Sequence, residues 1–329
     1  MSWAALPKVE LHLHLEGAAP PDFVRRLAAE KGIRLDGVFD ARGDYAFDDF
    51  AGFLRCYEAA CAPIRSPEDH ARLVAAVAEE LAGHAVVYAE LFVAPQLSCG
   101  ADPSAWRDYA AAMRDAAARA EAGGGPILRA IPTCVRHLGP EDARRAALCA
   151  AETAGGGWIT GFGMGGDETR GRQGDFLWAF DCAREAGLGL TTHAGEWRGP
   201  EEVRDALALG VSRIGHGIAA ARDPALMEDL AERGIVLEVC PRSNVALGAA
   251  PSVERHPIAR LRAAGVPVTV STDDPPFFAA TMTREWEDLE RAFGWGPDDL
   301  AALNRTALAA AFCDEDTRRR VAQMIEVPA

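Results

Sequence analysis

Pro7-Lys-Val-Glu-Leu-His-Leu-His-Leu-Glu-Gly17 is a short apolar run that carries two histidines one residue apart, His12 and His14. On a strand, residues i and i+2 point to the same side. The run therefore aims two imidazoles at one point, as a divalent metal needs. Three further polar strings have the same character: Thr192-His-Ala-Gly-Glu196, Ile214-Gly-His-Gly217 and Ser271-Thr-Asp-Asp-Pro275. Each falls at the C-terminal end of a β-rich run.

Eight such runs are present: Val9–Leu15, Val86–Val93, Ile127–Val135, Ile159–Met164, Leu188–His193, Arg213–Ile218, Val236–Cys240 and Val266–Thr272. Helical patterns separate them, among them Pro67–Leu81, Ala105–Ala122, Pro140–Ala154, Gly174–Ala186, Glu201–Leu209, Ala225–Arg233 and Pro257–Ala264. Several of these stop at a glycine (Gly187, Gly210, Gly234, Gly265), which suits the residue just past a helix end. Strand-then-helix repeated eight times predicts an α/β fold of the (β/α)₈ TIM-barrel type, whose catalytic face lies at the strand C-termini. An open doubly wound sheet is the alternative, but its Gly-rich fingerprint after the first strand is absent.

The segment from Gly17 to Ala85 is far longer than one βα turn and helix require. It contains Phe47-Asp-Asp-Phe-Ala-Gly-Phe-Leu-Arg-Cys-Tyr57, read as part of a helical lid over the barrel mouth. After the last strand, Thr283–Ala292, Pro297–Phe312 and Glu315–Ile325 read as terminal helices. With no linker, repeat or low-complexity segment, residues 1–329 read as one metal-dependent hydrolase barrel, the lid insertion falling within 17–85.

Composition narrows the function. The chain has 329 residues, 49% hydrophobic and 25% charged, as a soluble globular protein does. A net charge of −15 speaks against nucleic acid and anionic membranes as partners. No apolar run is long enough to span a bilayer and no secretory leader pattern opens the chain, so the cytoplasm is the expected location. Eight scattered cysteines without a C-x-x-C pair suggest neither a disulfide frame nor a cysteine-rich zinc module.

His12, His14, His193 and Asp273 come from three strand ends and would surround one ion on the barrel axis. Three imidazoles plus a carboxylate suit Zn²⁺, with Fe²⁺ or Co²⁺ able to occupy the same shell. The only lysines, Lys8 and Lys31, lie far from strands four and five, where a metal-bridging lysine would sit; a single ion per chain is expected. Glu196, three residues after His193, can shuttle protons if burial raises its pKa. His216, between two glycines, is either a further ligand or a base beside the metal-bound water. Asp274 is a candidate partner for a substrate heteroatom. His70, His84, His137 and His256 read as hydrogen-bonded structural residues.

With these residues assembled, the chain resembles the adenosine deaminase family of the amidohydrolase superfamily, from Pro7 to the terminal helices. The resemblance implies one Zn²⁺ held by His12, His14, His193 and Asp273. It implies Glu196 as the acid that protonates purine N1, and His216 as the residue that orients and deprotonates the attacking water. It implies Asp274 as the partner of N7 and Gly166, in Gly163-Met-Gly-Gly-Asp-Glu168, as the backbone donor to N3. Glu16 stands where vertebrate-type members carry the Asp associated with the sugar 5′-hydroxyl. The separate zinc deaminase pattern, H-x-E with P-C-x-x-C, is missing. Ile214 and Gly215 before His216, and Trp197 after Glu196, differ from common adenine deaminases. The expected reaction is therefore hydrolytic deamination of a purine nucleoside, adenosine or 2′-deoxyadenosine. Adenine and aminodeoxyfutalosine, which Arg242 could bind through a carboxylate, are the alternatives. An amidase of the same superfamily would need a bridging lysine or second metal; a silent binding protein would have lost a ligand or the proton shuttle.

Overall fold

The strands of this chain close on themselves in strict sequence order. In a computed structural model, which describes residues 2–326, the strands are β1 (Lys8–His14), β2 (Val86–Val93), β3 (Ile127–Val135), β4 (Gly161–Gly165), β5 (Gly189–Ala194), β6 (Arg213–His216), β7 (Val236–Val239) and β8 (Val268–Val270). All neighbours are parallel and the order is β1 to β8. This is the (β/α)₈ barrel expected from the sequence; a doubly wound sheet would place β1 inside the order rather than at its end.

Closure occurs at the catalytic end. The Asp273 N–H donates to His12 O (3.1 Å) and the His14 N–H donates to Asp273 O (3.0 Å). These bonds seat Asp273 between the two histidines. The strand expected over Val266–Thr272 shortens to Val268–Val270: the Val266 N–H turns back to Leu261 O, and past Ser271 side chains enter the bonding. Ser271 Oγ accepts from the His12 N–H (3.1 Å), while the Thr272 N–H donates to Glu10 Oε1 (2.8 Å). At β4, Ile159 forms only isolated bridges to Ala130 and Ala154, so the strand begins at Gly161.

The barrel interior is not uniformly apolar. Arg213 is fully buried, its Nη1 lies 2.6 Å from Glu90 Oε2 and its Nε 2.6 Å from Glu238 Oε1. Its guanidinium also stacks 3.6 Å over the Phe312 ring. Phe312 reaches this position because β4 and β5 each present a glycine to it: a Cβ on Gly189 would come within 2.3 Å of the ring.

The 17–85 connection contains helices Pro21–Glu30, Phe50–Cys61 and Pro67–Gly83. The aromatic helix begins at Phe50 rather than Phe47. Asp49 caps it, accepting from the Gly52 N–H (2.6 Å). Three helices, Met282–Phe293, Pro297–Ala310 and Glu315–Ile325, follow β8. Among the described residues, no helix is long and apolar enough to cross a membrane.

Removing one member of a buried ion cluster leaves uncompensated charge. Arg213→Met strands the Glu90 and Glu238 carboxylates together. Denaturant unfolding should show a loss of about 3–5 kcal/mol.

Candidate active site

Three strand ends bring four imidazoles to one place. His12 and His14 leave β1 on the same face, His193 sits near the end of β5 and His216 ends β6. Nε2 of His14 lies 3.2 Å from Nε2 of His193. Asp273 Oδ1 is 3.3 Å from His12 Nε2 and 3.2 Å from His14 Nε2. Two overlapping groups could hold an ion, His12/His193/His216/Asp273 and His14/Asp273/Asp274, joined through Asp273. Small residues permit this crowding: a Cβ on Gly215 would lie 2.7 Å from His12 Cε1 and 3.2 Å from His193 Nδ1.

The outer ring nitrogens fix which nitrogen faces inward. His12 Nδ1 is 2.8 Å from Glu238 Oε2 and His193 Nδ1 is 2.8 Å from Met164 O. Both partners accept only, so each Nδ1 carries the proton and each Nε2 is bare. Bare nitrogens at His12 and His193, with the Asp273 carboxylate between them, form a donor set for a divalent cation. His12 Nε2 is buried without any hydrogen-bond partner.

Electrostatics agree. Burial pushes His12 down, but Asp273 and Glu238 overrule it and raise it to about 9. The carboxylates thus demand positive charge at this spot. Burial, with the neighbouring imidazoles, holds His193 well below the ordinary histidine range; burial also lowers His14 and takes His216 to about 3. Burial alone would raise Asp273, yet hydrogen bonding with His12 and His14 keeps it well below the usual carboxylate range. His14, His193 and His216 are thus biased to the neutral form beside Asp273, while at His12 Nε2 a cation would take the place of the proton that Asp273 and Glu238 favour.

Glu196 and Asp274 behave oppositely. Burial and the charges of Asp273 and Glu168 push Glu196 well above the carboxylate range. Burial and the charges of Asp273 and Glu196 do the same to Asp274. Glu196 Oε1 and Asp274 Oδ1 are buried without partners. Both acids are therefore poised as neutral hydrogen donors. Glu196 Oε2 stands 3.7 Å from His216 Nε2. Gly17 makes room for Asp274, since a Cβ there would fall 1.6 Å from its Oδ1.

Asp273 and His216 are themselves in the left-handed region, at φ 67° and 60°. Such backbone costs of order 1–3 kcal/mol per residue and persists where the surroundings over-determine it.

A cavity of about 170 Å³ opens beside this cluster. His14, Gly166, His193, Glu196, His216, Asp273 and Asp274 line it. The helix Phe50–Cys61 supplies Phe50, Phe53, Leu54 and Tyr57 to its wall, so the insertion does reach over the barrel mouth. Trp197 packs against Phe50 at 5.1 Å, joining the Glu196 loop to that helix.

Two expectations are not met by the geometry. Glu16 is buried and gives its Oε1 to the Ala94 N–H (3.0 Å); it is not among the residues lining the cavity. Arg242 pairs with Asp288 and is likewise absent from the lining.

Sequence reasoning misses several supports. Glu238 anchors His12, and a charged residue inside Val236-Leu-Glu-Val239 is a signal that could have found it. Ser243 Oγ donates to Asp273 Oδ2 (2.7 Å). Glu168, read as part of an ordinary loop, accepts from the backbone N–H groups of Gly195, Trp197 (2.6 Å) and Arg198 (3.0 Å), so it clamps the loop that carries Glu196. His137, read as structural, lines the cavity beside Gly166.

Glu238→Gln offers His12 a neutral partner in place of a carboxylate. Chelator competition should show metal affinity reduced about 10- to 100-fold, the usual cost of losing such an outer partner.

The adenosine deaminase family model matches residues 7–328. The chain is 47% identical over 319 residues to an adenine deaminase of Rhizobium leguminosarum bv. trifolii, covering 95% of this chain and 97% of that one. It is 45% identical over 321 residues to an adenine deaminase of Agrobacterium fabrum, covering 96% and 97%. The crystal structure of an adenine deaminase from Arthrobacter aurescens superimposes with a TM-score of 0.88 at 27% identity, over 98% of each chain. A zinc-bound amidohydrolase from Burkholderia ambifaria superimposes with a TM-score of 0.84 at 28% identity, over 98% of this chain and 90% of that one. The barrel, its convergent imidazoles and this likeness along nearly the whole sequence place the chain in the adenosine deaminase family, as a hydrolytic deaminase.

Proposed function

We propose that the chain hydrolyses the exocyclic amino group of adenine, releasing hypoxanthine and ammonia. At the coarser level it is an aminopurine deaminase of its family, and near relatives bear the name adenine deaminase. The observation that carries the finer reading is the cavity itself. Its volume of about 170 Å³ falls below the roughly 300–1,000 Å³ of sites for drug-sized ligands. Phe50, Phe53, Leu54, Tyr57, Leu97 and Leu247 form an apolar wall, and no lysine or arginine is among the lining residues.

The sequence alone favours a nucleoside, and the cavity argues otherwise. A nucleoside needs room for a sugar and a partner for its 5′-hydroxyl, and Glu16, whose Oε1 takes the Ala94 N–H, is not among the lining residues. An aminodeoxyfutalosine-type ligand needs a cation for its carboxylate, and Arg242 is committed to Asp288. A flat neutral base fits the wall and asks for neither.

In this reading His12, His14, His193 and Asp273 hold one divalent ion, Zn²⁺ by the chemistry of the donor set. When bound, that ion supplies the Lewis acidity that makes water nucleophilic at neutral pH. The remaining chemistry belongs to side chains. Glu196 gives its proton to ring N1, which removes the aromatic resistance at C6. Water adds at C6, His216 borders the attacking oxygen, and the tetrahedral carbon expels ammonia. One of the water's protons restores Glu196 and the other leaves with ammonia. Neutral Asp274 donates to N7, and the Gly166 backbone N–H serves N3.

Two measurements test this. With the metal-replete enzyme, kcat/KM for adenine should exceed that for adenosine and for aminodeoxyfutalosine by at least about 10², the scale on which a shaped pocket rejects a misfit. Equal turnover of adenosine overturns the choice of free base. Second, Glu196→Gln should lower kcat by on the order of 10²–10⁴. Because the Glu196 pKa is raised, the donor form survives to higher pH than for an ordinary carboxyl and is lost above the raised value. Wild-type kcat/KM should therefore decline on an alkaline limb that Glu196→Gln lacks.

A further inference from the structure

His216 Nε2 faces Glu196 and Asp273, so whether that nitrogen carries a proton decides what it can do there. A chain of hydrogen bonds behind the ring fixes the answer. It begins at the N-terminus of helix Ile258–Ala263, where the Ile258 N–H has no partner within the helix. That N–H donates to His256 Nδ1 (3.1 Å). A backbone N–H can only donate, so His256 Nδ1 is bare. An imidazole with one bare nitrogen carries its proton on the other, here Nε2. His256 is 3% exposed, which favours this neutral ring.

The consequence passes along. His256 Nε2 is 3.1 Å from Asn244 Oδ1, to which it donates. This orients the amide, whose Nδ2 then faces His216 Nδ1 at 3.1 Å. An amide N–H₂ can only donate, so His216 Nδ1 is bare and the ring's single proton is on Nε2. His216, Asn244 and His256 are all buried, and the Ile258 N–H, whose role as donor is fixed, sets the direction of each bond along the chain.

We propose that Asn244 and His256 are positioning residues that hold His216 as the Nε2–H tautomer. The sequence leaves His216 open as a further ligand or as a base. A protonated Nε2 cannot bind a cation, so His216 stands outside the ligand set. It enters the reaction as a hydrogen-bond donor to the attacking oxygen, not as the first acceptor of its proton. This inference rests on the reading of His216 as a reaction residue but not on which purine is bound.

The decisive experiment reads the tautomer directly. In zinc-loaded protein labelled with ¹⁵N-histidine, His216 Nδ1 should resonate as a bare imine nitrogen and Nε2 as a protonated one, assigned by loss of the signals in His216→Phe. Asn244→Asp replaces the donor with an acceptor. It should move the proton to Nδ1, or charge the ring, and lower kcat by on the order of 10²–10⁴. KM should change less than about threefold. His256→Gln keeps a donor toward Asn244 Oδ1 and should retain the wild-type tautomer and most of kcat. Thermal unfolding of each variant separates misfolding from mispositioning. A wild-type His216 protonated on Nδ1, or an Asn244→Asp enzyme with unchanged tautomer and kcat, overturns the proposal. Failure to deaminate adenine with the tautomer as stated would instead overturn only the assigned substrate.

Discussion

Negative charge buried inside the barrel governs this site. Glu90, Glu238 and Asp273 lie inside a barrel where their burial is near total. Such anions are tolerable only against fixed positive charge or hydrogen donors. Arg213 neutralises Glu90 and Glu238 from one side. His12 meets Glu238 and Asp273 from the other, and these carboxylates raise its pKa, favouring positive charge on or beside the ring. A divalent ion satisfies that demand with Nε2 bare, where a proton would occupy the same nitrogen. The ion pair far from substrate and the imidazole beside it are thus one electrostatic unit.

The same enclosed charge divides the acids by role. Asp273 is held below the usual carboxylate range by the His12 and His14 rings, which stand 3.3 and 3.2 Å from its Oδ1. Its anion, together with burial, keeps Glu196 and Asp274 protonated. Of the carboxyl groups lining the cavity, Asp273 is thereby biased to the anion, and Glu196 and Asp274 to the hydrogen-donating acid. A purine presents imine nitrogens that accept hydrogen bonds, so neutral acids complement it and ionised ones would not. The division depends on burial, to which the aromatic helix Phe50–Cys61 contributes part of the cavity wall.

Much of this arrangement is legible in the amino-acid sequence. His12 and His14 announce themselves because a strand alternates its faces. His193, His216 and Asp273 follow because barrel strands present their last residues to the site. The acids near them are readable for the same reason. What escapes are residues whose meaning depends on paths through loops. His256 reads as structural, and in isolation it is; its importance comes from contact with Asn244, twelve positions away. Glu168 sits in an unremarkable Gly-Asp-Glu turn, and only the fold brings three N–H groups of the 195–198 loop onto it. The expected edges of β4 and β8 are too generous. At β8 the Val266 N–H turns back to Leu261 O of the preceding helix, and the Thr272 N–H bonds the Glu10 side chain rather than a strand partner.

Substrate size is the hardest quantity to read, for a physical reason. The chemistry is set by single residues at strand ends, each with a local signature. Cavity volume is set by residues that meet from remote segments: Phe53 and Tyr57 from the insertion, Leu97 after β2, His137 after β3 and Leu247 after β7. None carries a motif, since an apolar residue on a helix looks the same whether it closes a pocket or fills a core. Glu16 misleads for the converse reason. Its position beside the β1 histidines suggests contact with substrate, but the bond from the Ala94 N–H turns the carboxylate into the barrel wall. Local chemistry therefore identifies the reaction, while the choice between base and nucleoside follows from how distant walls approach one another.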